Sequence, residues 1–170
     1  MLPDPPFVLL DDARPDGRAR LYAHPVEIVE ARSVAEIPAS LARIRASGRY
    51  AAGYLTYEAG AAFEPQGRIP AVLADAPLLW FGLFDRYDEI DVPAALPDPA
   101  GAWAGPPEPH IGRTRYGEQF ARVIDLIQAG DIYQANLTFG AQVRWAGEPA
   151  ALYALLRARA AAGHGALIAT

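Results

Sequence analysis

The run Leu78–Phe84, LLWFGLF, contains no polar side chain. A strand can carry such a run only when both of its faces are covered. It is also far shorter than the roughly 20 apolar residues of a membrane span. The chain must therefore supply a packed layer on either side of this segment, and its other elements can be read for that capacity.

Phe7–Leu10 (FVLL) reads as a second short buried strand, closed by Asp11-Asp12 and the turn-forming Pro15-Asp16-Gly17. Arg20–Ala23 and Val26–Ala31 read as strands separated at Pro25. Ser33 and Glu36 have capping-box spacing, and Ile37, Leu41 and Ile44 share one helical face. Pro38 must then lie in the first turn of that helix, which Gly48 stops. Tyr50–Tyr57 reads as a strand with Gly53 near its centre, where a neighbouring backbone or a ligand approaches closely, and residues 58–70 read as a loop. Pro93–Pro109 is dense in Pro, Gly and Ala and reads as a connector. The expected organisation is an amino-terminal region over residues 1–92, a connector over 93–110 and the start of a second unit over 111–170.

In that second unit Thr114 is placed as the cap of a helix whose Phe120, Val123, Ile124 and Ile127 repeat at helical spacing, with Gly130 as its end. From Tyr133 to Val143 apolar and polar residues alternate, which predicts a strand with one face in a core. Its other face carries Gln134, Asn136 and Thr138, uncharged hydrogen-bonding groups where Lys, Glu or Arg would be ordinary. Leaving one such group buried and unpaired costs about 1–3 kcal/mol. They either pair with other protein groups or line a wet cavity that a substrate completes, and the pattern leaves both open. Pro149 suits the first position of another helix, and Ala166–Thr170 (ALIAT) begins a further strand. An apolar edge strand is a poor place for a domain to finish, and the mixed order of elements promises a larger sheet than 170 residues complete. The expectation is the front part of a longer protein.

Composition removes several classes of chemistry. There are no cysteines, so disulfides, thiolate metal sites and Cys nucleophiles are excluded together. All 15 basic side chains are arginine, which removes a Schiff-base lysine, a lysine general base and a P-loop lysine. Net charge is −5 and the arginines are scattered, so no nucleic-acid partner is expected. No secretory signal or membrane span is visible, and a cytoplasmic location follows as the default expectation. His24, His110 and His164 lack metal-ligand spacing. Asp11-Asp12 reads either as a site for a cation or amine or as a solvated turn cap, and Glu58 either as a site carboxylate or as an exposed strand-end acid.

The run Thr114–Val143, with a helix ending in IQAGD followed at once by IYQANL, resembles the chorismate-utilising enzyme family. FVLLDDA and GRYAAGYLTYEAGAAFEP resemble the amino-terminal region of its aminodeoxychorismate synthase component I branch, so the likeness spans the whole chain. It implies an α/β (α+β) fold, a layered sandwich of mainly antiparallel sheets with packed helices, here incomplete at the carboxy-terminal end. It implies that Gln134, Asn136 and Thr138 face the chorismate pocket. Members of the family that attack chorismate with water carry a lysine where this chain has Gln134, and ammonia-using members carry glutamine. Asn136 is similar to the aminodeoxychorismate branch more than to anthranilate synthases.

The resemblance also implies a glutamine amidotransferase partner and Mg²⁺ held by glutamates that lie, with the catalytic lysine and general acid, in the family's carboxy-terminal half. No catalytic or metal-binding residue is then expected in these 170 residues, and the chain alone should not turn over chorismate. The family's amino-acid pocket, which takes tryptophan in some members, maps to Asp12, Gly163 and His164, where this chain departs from the usual serine and proline-aromatic pattern. Those departures predict that tryptophan does not bind. The alternatives are an anthranilate synthase component I fragment, or a non-catalytic module that binds an amino acid or docks the amidotransferase.

Overall fold

A computed structural model describes residues 1–64 and 76–170. The strands and helices in chain order are β1 (Phe7–Asp11), β2 (Ala19–Ala23), β3 (Glu27–Ala31), α1 (Ile37–Ala46), β4 (Tyr50–Leu55), β5 (Leu79–Phe84), β6 (Asp88–Ile90) and α2 (Val92–Ala95). They continue with β7 (Ala102–Ala104), β8 (Glu108–Pro109), α3 (Arg113–Ala129), β9 (Ala141–Gln142), β10 (Trp145–Gly147), α4 (Pro149–Ala160) and β11 (Gly165–Ala169). Among the described residues, no helix is long and apolar enough to cross a membrane.

The apolar run at 78–84 becomes β5, the central strand of an antiparallel sheet ordered β3-β5-β4. Its alternate residues go to opposite layers, as period 2 requires. Leu79 and Leu83 pack with Val29, Ala31 and Ile37 under α1. Trp80 and Phe84 face the other way and pack with Val8, Tyr22 and Ala52. Val8 and Tyr22 belong to a second antiparallel sheet, ordered β11-β1-β2-β6. Its opposite face carries Phe7, Leu9, Ala19 and Leu21, covered by Val92 of α2 and Tyr153 of α4. The fold is thus a layered α/β sandwich of antiparallel sheets, with α1 on one outer face and α2 and α4 on the other.

Local signals are realised where they are strong. The Glu36 carboxylate accepts the backbone N–H groups of Ser33 (2.9 Å) and Arg32 (2.8 Å), which holds its pKa below the usual range. A 3-10 turn at Val34–Glu36 precedes α1, Pro38 sits in its first turn, and Gly48 follows at φ +65°. Gly130 ends α3 in the left-handed region at φ 81°, donating to the Ile127 carbonyl at 3.1 Å. Pro149 opens α4.

Three readings are corrected. The strand from Tyr50 stops at Leu55, and Tyr57–Ala62 winds into a 3-10 helix instead of a strand end and loop. That helix holds Glu58 at intermediate exposure; the rest of the expected loop, 65–70, lies outside the described residues. Helix α3 is capped at Gly112, so Thr114 falls inside its first turn. The expected connector carries β7, β8 and all of α2 but its first residue, Val92, and β7 pairs with β10.

Gly53 is where the close approach predicted from its strand occurs. A Cβ built there would lie 2.0 Å from the Trp80 carbonyl oxygen of β5. Gly53→Ala must therefore spread the central sheet, and we expect a loss of at least about 2 kcal/mol in denaturant unfolding. An unchanged midpoint would show that the sheet relaxes without cost.

Candidate functional site

Asp11 closes β1 on the same face as Phe7 and Leu9, so period 2 aims its carboxylate at α4 instead of at solvent. Its side chain is 1% exposed. A buried carboxylate needs partners, and α4 provides them from Tyr153 and Arg157, one turn apart on one face. The Arg157 Nε and Nη2 donate to Oδ2 and Oδ1 at 2.6 and 3.2 Å, and the Tyr153 hydroxyl donates to Oδ2 at 2.8 Å. Burial, and then the bond to Asp11, push the Tyr153 hydroxyl pKa well above its ordinary value. Because the partners lie 142 and 146 residues away in sequence, this cluster fastens α4 and β11 to the first strand.

Beside that fastening lies a cavity of about 590 Å³, lined by Asp12, Asp16, Arg18, Arg20, Gly163 and His164, among others. Asp12, Gly163 and His164 were expected to share a pocket, and all three line this one. The β1–β2 turn and the α4–β11 loop are brought together by the β1–β11 ladder and by an Ala13 N–H bond to the Ala162 carbonyl at 2.8 Å. Arg14 Nε and Nη2 grip Asp12 Oδ1 and Oδ2 at 2.9 and 2.6 Å. These bonds hold the Asp12 carboxyl at about 2, well below the usual carboxylate range. Arg18 pairs with Glu89 at 3.4 Å, and Arg20 lies over the Tyr87 ring at 4.9 Å.

The arginines are what the sequence reading missed. Arg14 stands two residues after Asp12, and Tyr153 and Arg157 interrupt an otherwise apolar helical face. Both signals were legible, but neither says which acid each arginine meets.

The second expected site is placed differently. Gln134, Asn136 and Thr138 are exposed and lie in the irregular segment between α3 and β9. The strand expected over Tyr133–Val143 is confined to Ala141–Gln142, paired with Glu108–Pro109. Alternation makes a segment competent to be a strand, but a ladder needs a neighbour, and no described strand pairs with 133–140. The face expected in a core is open instead: Tyr133 is 93% exposed and Phe139 47%. Phe139 packs edge-on to Tyr116, which stacks on Phe120, so the segment leans on the apolar side of α3. The amide and hydroxyl groups share one short stretch that is open to a ligand, and they are not brought to the Asp12 cavity.

Among the described residues, no group of three or more His, Asp or Glu side chains is placed to hold a metal ion.

Two outcomes follow. Arg157→Met strands a buried carboxylate and should cost roughly 3–5 kcal/mol in unfolding experiments. Tyr153→Phe removes one of three bonds and should cost only about 1 kcal/mol; equal costs would contradict the assignment of Arg157 as the main partner. In an NMR titration Asp12 should have its midpoint near 2. Its folded pKa is depressed, so the pair contributes above the ordinary carboxylate range and is lost as pH falls through that midpoint. Arg14→Met should return the midpoint toward the ordinary carboxylate value, and an unmoved midpoint would assign the shift elsewhere.

Compared with known proteins, residues 8–170 match the model of a family described as chorismate binding enzyme. No curated protein and no solved structure matches.

Proposed function

The chain belongs to the chorismate binding enzyme family, and from that premise we propose that it is the amino-terminal part of an enzyme that aminates chorismate to 4-amino-4-deoxychorismate. The ammonia comes from a glutamine amidotransferase subunit, the product feeds p-aminobenzoate and folate synthesis, and the setting is the cytoplasm. The observation that carries this reading is Gln134 in the stretch IYQANL, in a chain with no lysine anywhere.

The chemistry behind it concerns the nucleophile. Water attacking chorismate must lose a proton, so a basic side chain beside it helps by roughly 10²–10⁴-fold. Ammonia is already a competent nucleophile, and a base beside it would only admit water. From Tyr133 to Val143 no side chain is charged at neutral pH. Gln134, Asn136 and Thr138 can donate and accept hydrogen bonds but cannot take a proton, which fits orientation of the substrate's hydroxyl and carboxylate groups. In this reading they bind and orient, while Mg²⁺ and the proton-transfer groups act from outside these residues.

The anthranilate-forming alternative is separated by product. In the enzyme that carries this chain, Gln134→Lys should lower 4-amino-4-deoxychorismate formation by roughly 100-fold or more and bring in a water-derived isomer of chorismate. Unchanged amination would remove Gln134 from the site, and anthranilate as the product would replace the proposed branch. The 170-residue chain by itself, given chorismate, Mg²⁺ and ammonium, should form no amino product, and detectable product would overturn that part of the reading.

A further inference from the structure

The stretch from Gly130 to Gly140 is fixed at both ends. At its start Gly130 turns the chain out of α3 at φ 81°, and the Asp131 N–H donates to the Leu126 carbonyl at 3.0 Å. At its end the His110 N–H donates to the Gly140 carbonyl at 2.8 Å, which continues the short β8–β9 ladder. Gly140 permits that approach, since a Cβ there would lie 2.9 Å from His110 Nδ1. Between these ends no described strand pairs with 133–138. Just before the far end, Phe139 meets Tyr116 edge-on with ring centroids 5.6 Å apart. Tyr116 is itself well held: its ring stacks on Phe120 at 6.4 Å, and its N–H donates to the Gly112 carbonyl at 3.0 Å.

The contact between the two rings sets the shape of the stretch. Along the axis of α3, Tyr116 and Gly130 are about 21 Å apart. The chain returns over that distance between Gly130 and Phe139, and a fully extended strand of that length reaches only about 30 Å. The stretch is therefore drawn out along α3 although no ladder holds it, and Gln134, Asn136 and Thr138 stand exposed inside the drawn-out part. We propose that Tyr116 is a positioning residue for these three side chains: its ring holds Phe139 against α3 and so keeps the stretch ordered for substrate, a role that rests on their binding chorismate. The contact acts by ordering. A ligand that fits one arrangement of a loose segment binds more weakly in proportion to that arrangement's share of the population. Neither Tyr116 nor Phe139 belongs to any of the three core clusters, so the sandwich does not depend on their contact.

The role is tested first on the chain alone. In Tyr116→Ala the backbone ¹⁵N order parameters of 133–138 should fall to about 0.6 or below, with the thermal transition unchanged. Tyr116→Phe keeps the ring and should keep the order, and Phe139→Ala should repeat the effect of Tyr116→Ala. In the enzyme that carries this chain, calorimetry with chorismate and Mg²⁺, without ammonia or glutamine, reads binding directly. Tyr116→Ala should weaken chorismate roughly tenfold, as follows when the untethered stretch spends about a tenth of its time in the binding arrangement. Tyr116→Phe should bind as the unaltered enzyme does. Tyr116→Ala/Phe139→Ala should be no weaker than either single variant, because each change removes the same contact. Unchanged order in both single variants would overturn the proposal, as would lost order with unweakened chorismate binding. So would a Tyr116→Phe as impaired as Tyr116→Ala, additive losses in the double variant, or a lowered thermal transition in both single variants. The calorimetry reads binding and not product, so an enzyme that makes anthranilate or no amino product overturns the amination reading and leaves the positioning role standing.

Discussion

The last quarter of the chain is fastened to the first strand by one buried carboxylate. Asp11 is 1% exposed, and without Arg157 and Tyr153 it would be an uncompensated charge between a sheet and a helix. With them, α4 is seated on the outer face of the β11-β1-β2-β6 sheet beside Phe7, Leu9 and Leu21. The β1–β11 ladder then runs in register from Phe7–Ala169 to Asp11–Gly165, which brings the α4–β11 loop beside the β1–β2 turn. The cavity that holds Asp12 exists because two loops distant in sequence are pinned there.

The two sheets owe their own contact to a different constraint. β5 is apolar on both faces, so it must be sandwiched, and Trp80 and Phe84 fill the space between the sheets against Val8 and Tyr22. Gly53 lets the neighbouring strand close on Trp80, which makes the tight cross-strand approach part of the same packing problem. Beyond this sandwich the character of the chain changes. Helix α3 buries none of its residues, and Phe120 and Ile127 are 49% and 36% exposed. The amides of the segment after it stand in the open, away from the well-packed core.

Elements whose reasons are local were legible. The Glu36 cap, Pro38 and Pro149 in first turns, Gly48 and Gly130 past helix ends, and the buried strands β1 and β5 all follow from interactions within a few residues. The strand at Tyr133–Val143 was misread because alternation is a property of one segment and a ladder is a property of two. The grouping of Asp12, Gly163 and His164 was reached through family likeness, since nothing local links residues about 150 positions apart. Arg14 and Arg157 were visible as letters but not as partners, because ion pairing depends on which face a fold turns inward.

The sequence by itself determined the mixture of strands and helices, the positions of most of them, the lack of thiol and lysine chemistry and the uncharged stretch Tyr133–Val143. Those are consequences of periodicity, capping and side-chain identity, which act over a few residues. Only the tertiary structure decided that Asp11 is buried and Asp12 lines a cavity, though they are neighbours. Asp11 is the last residue of β1 and Asp12 the first beyond it, and what each one meets depends on the helix or loop that folding lays against it.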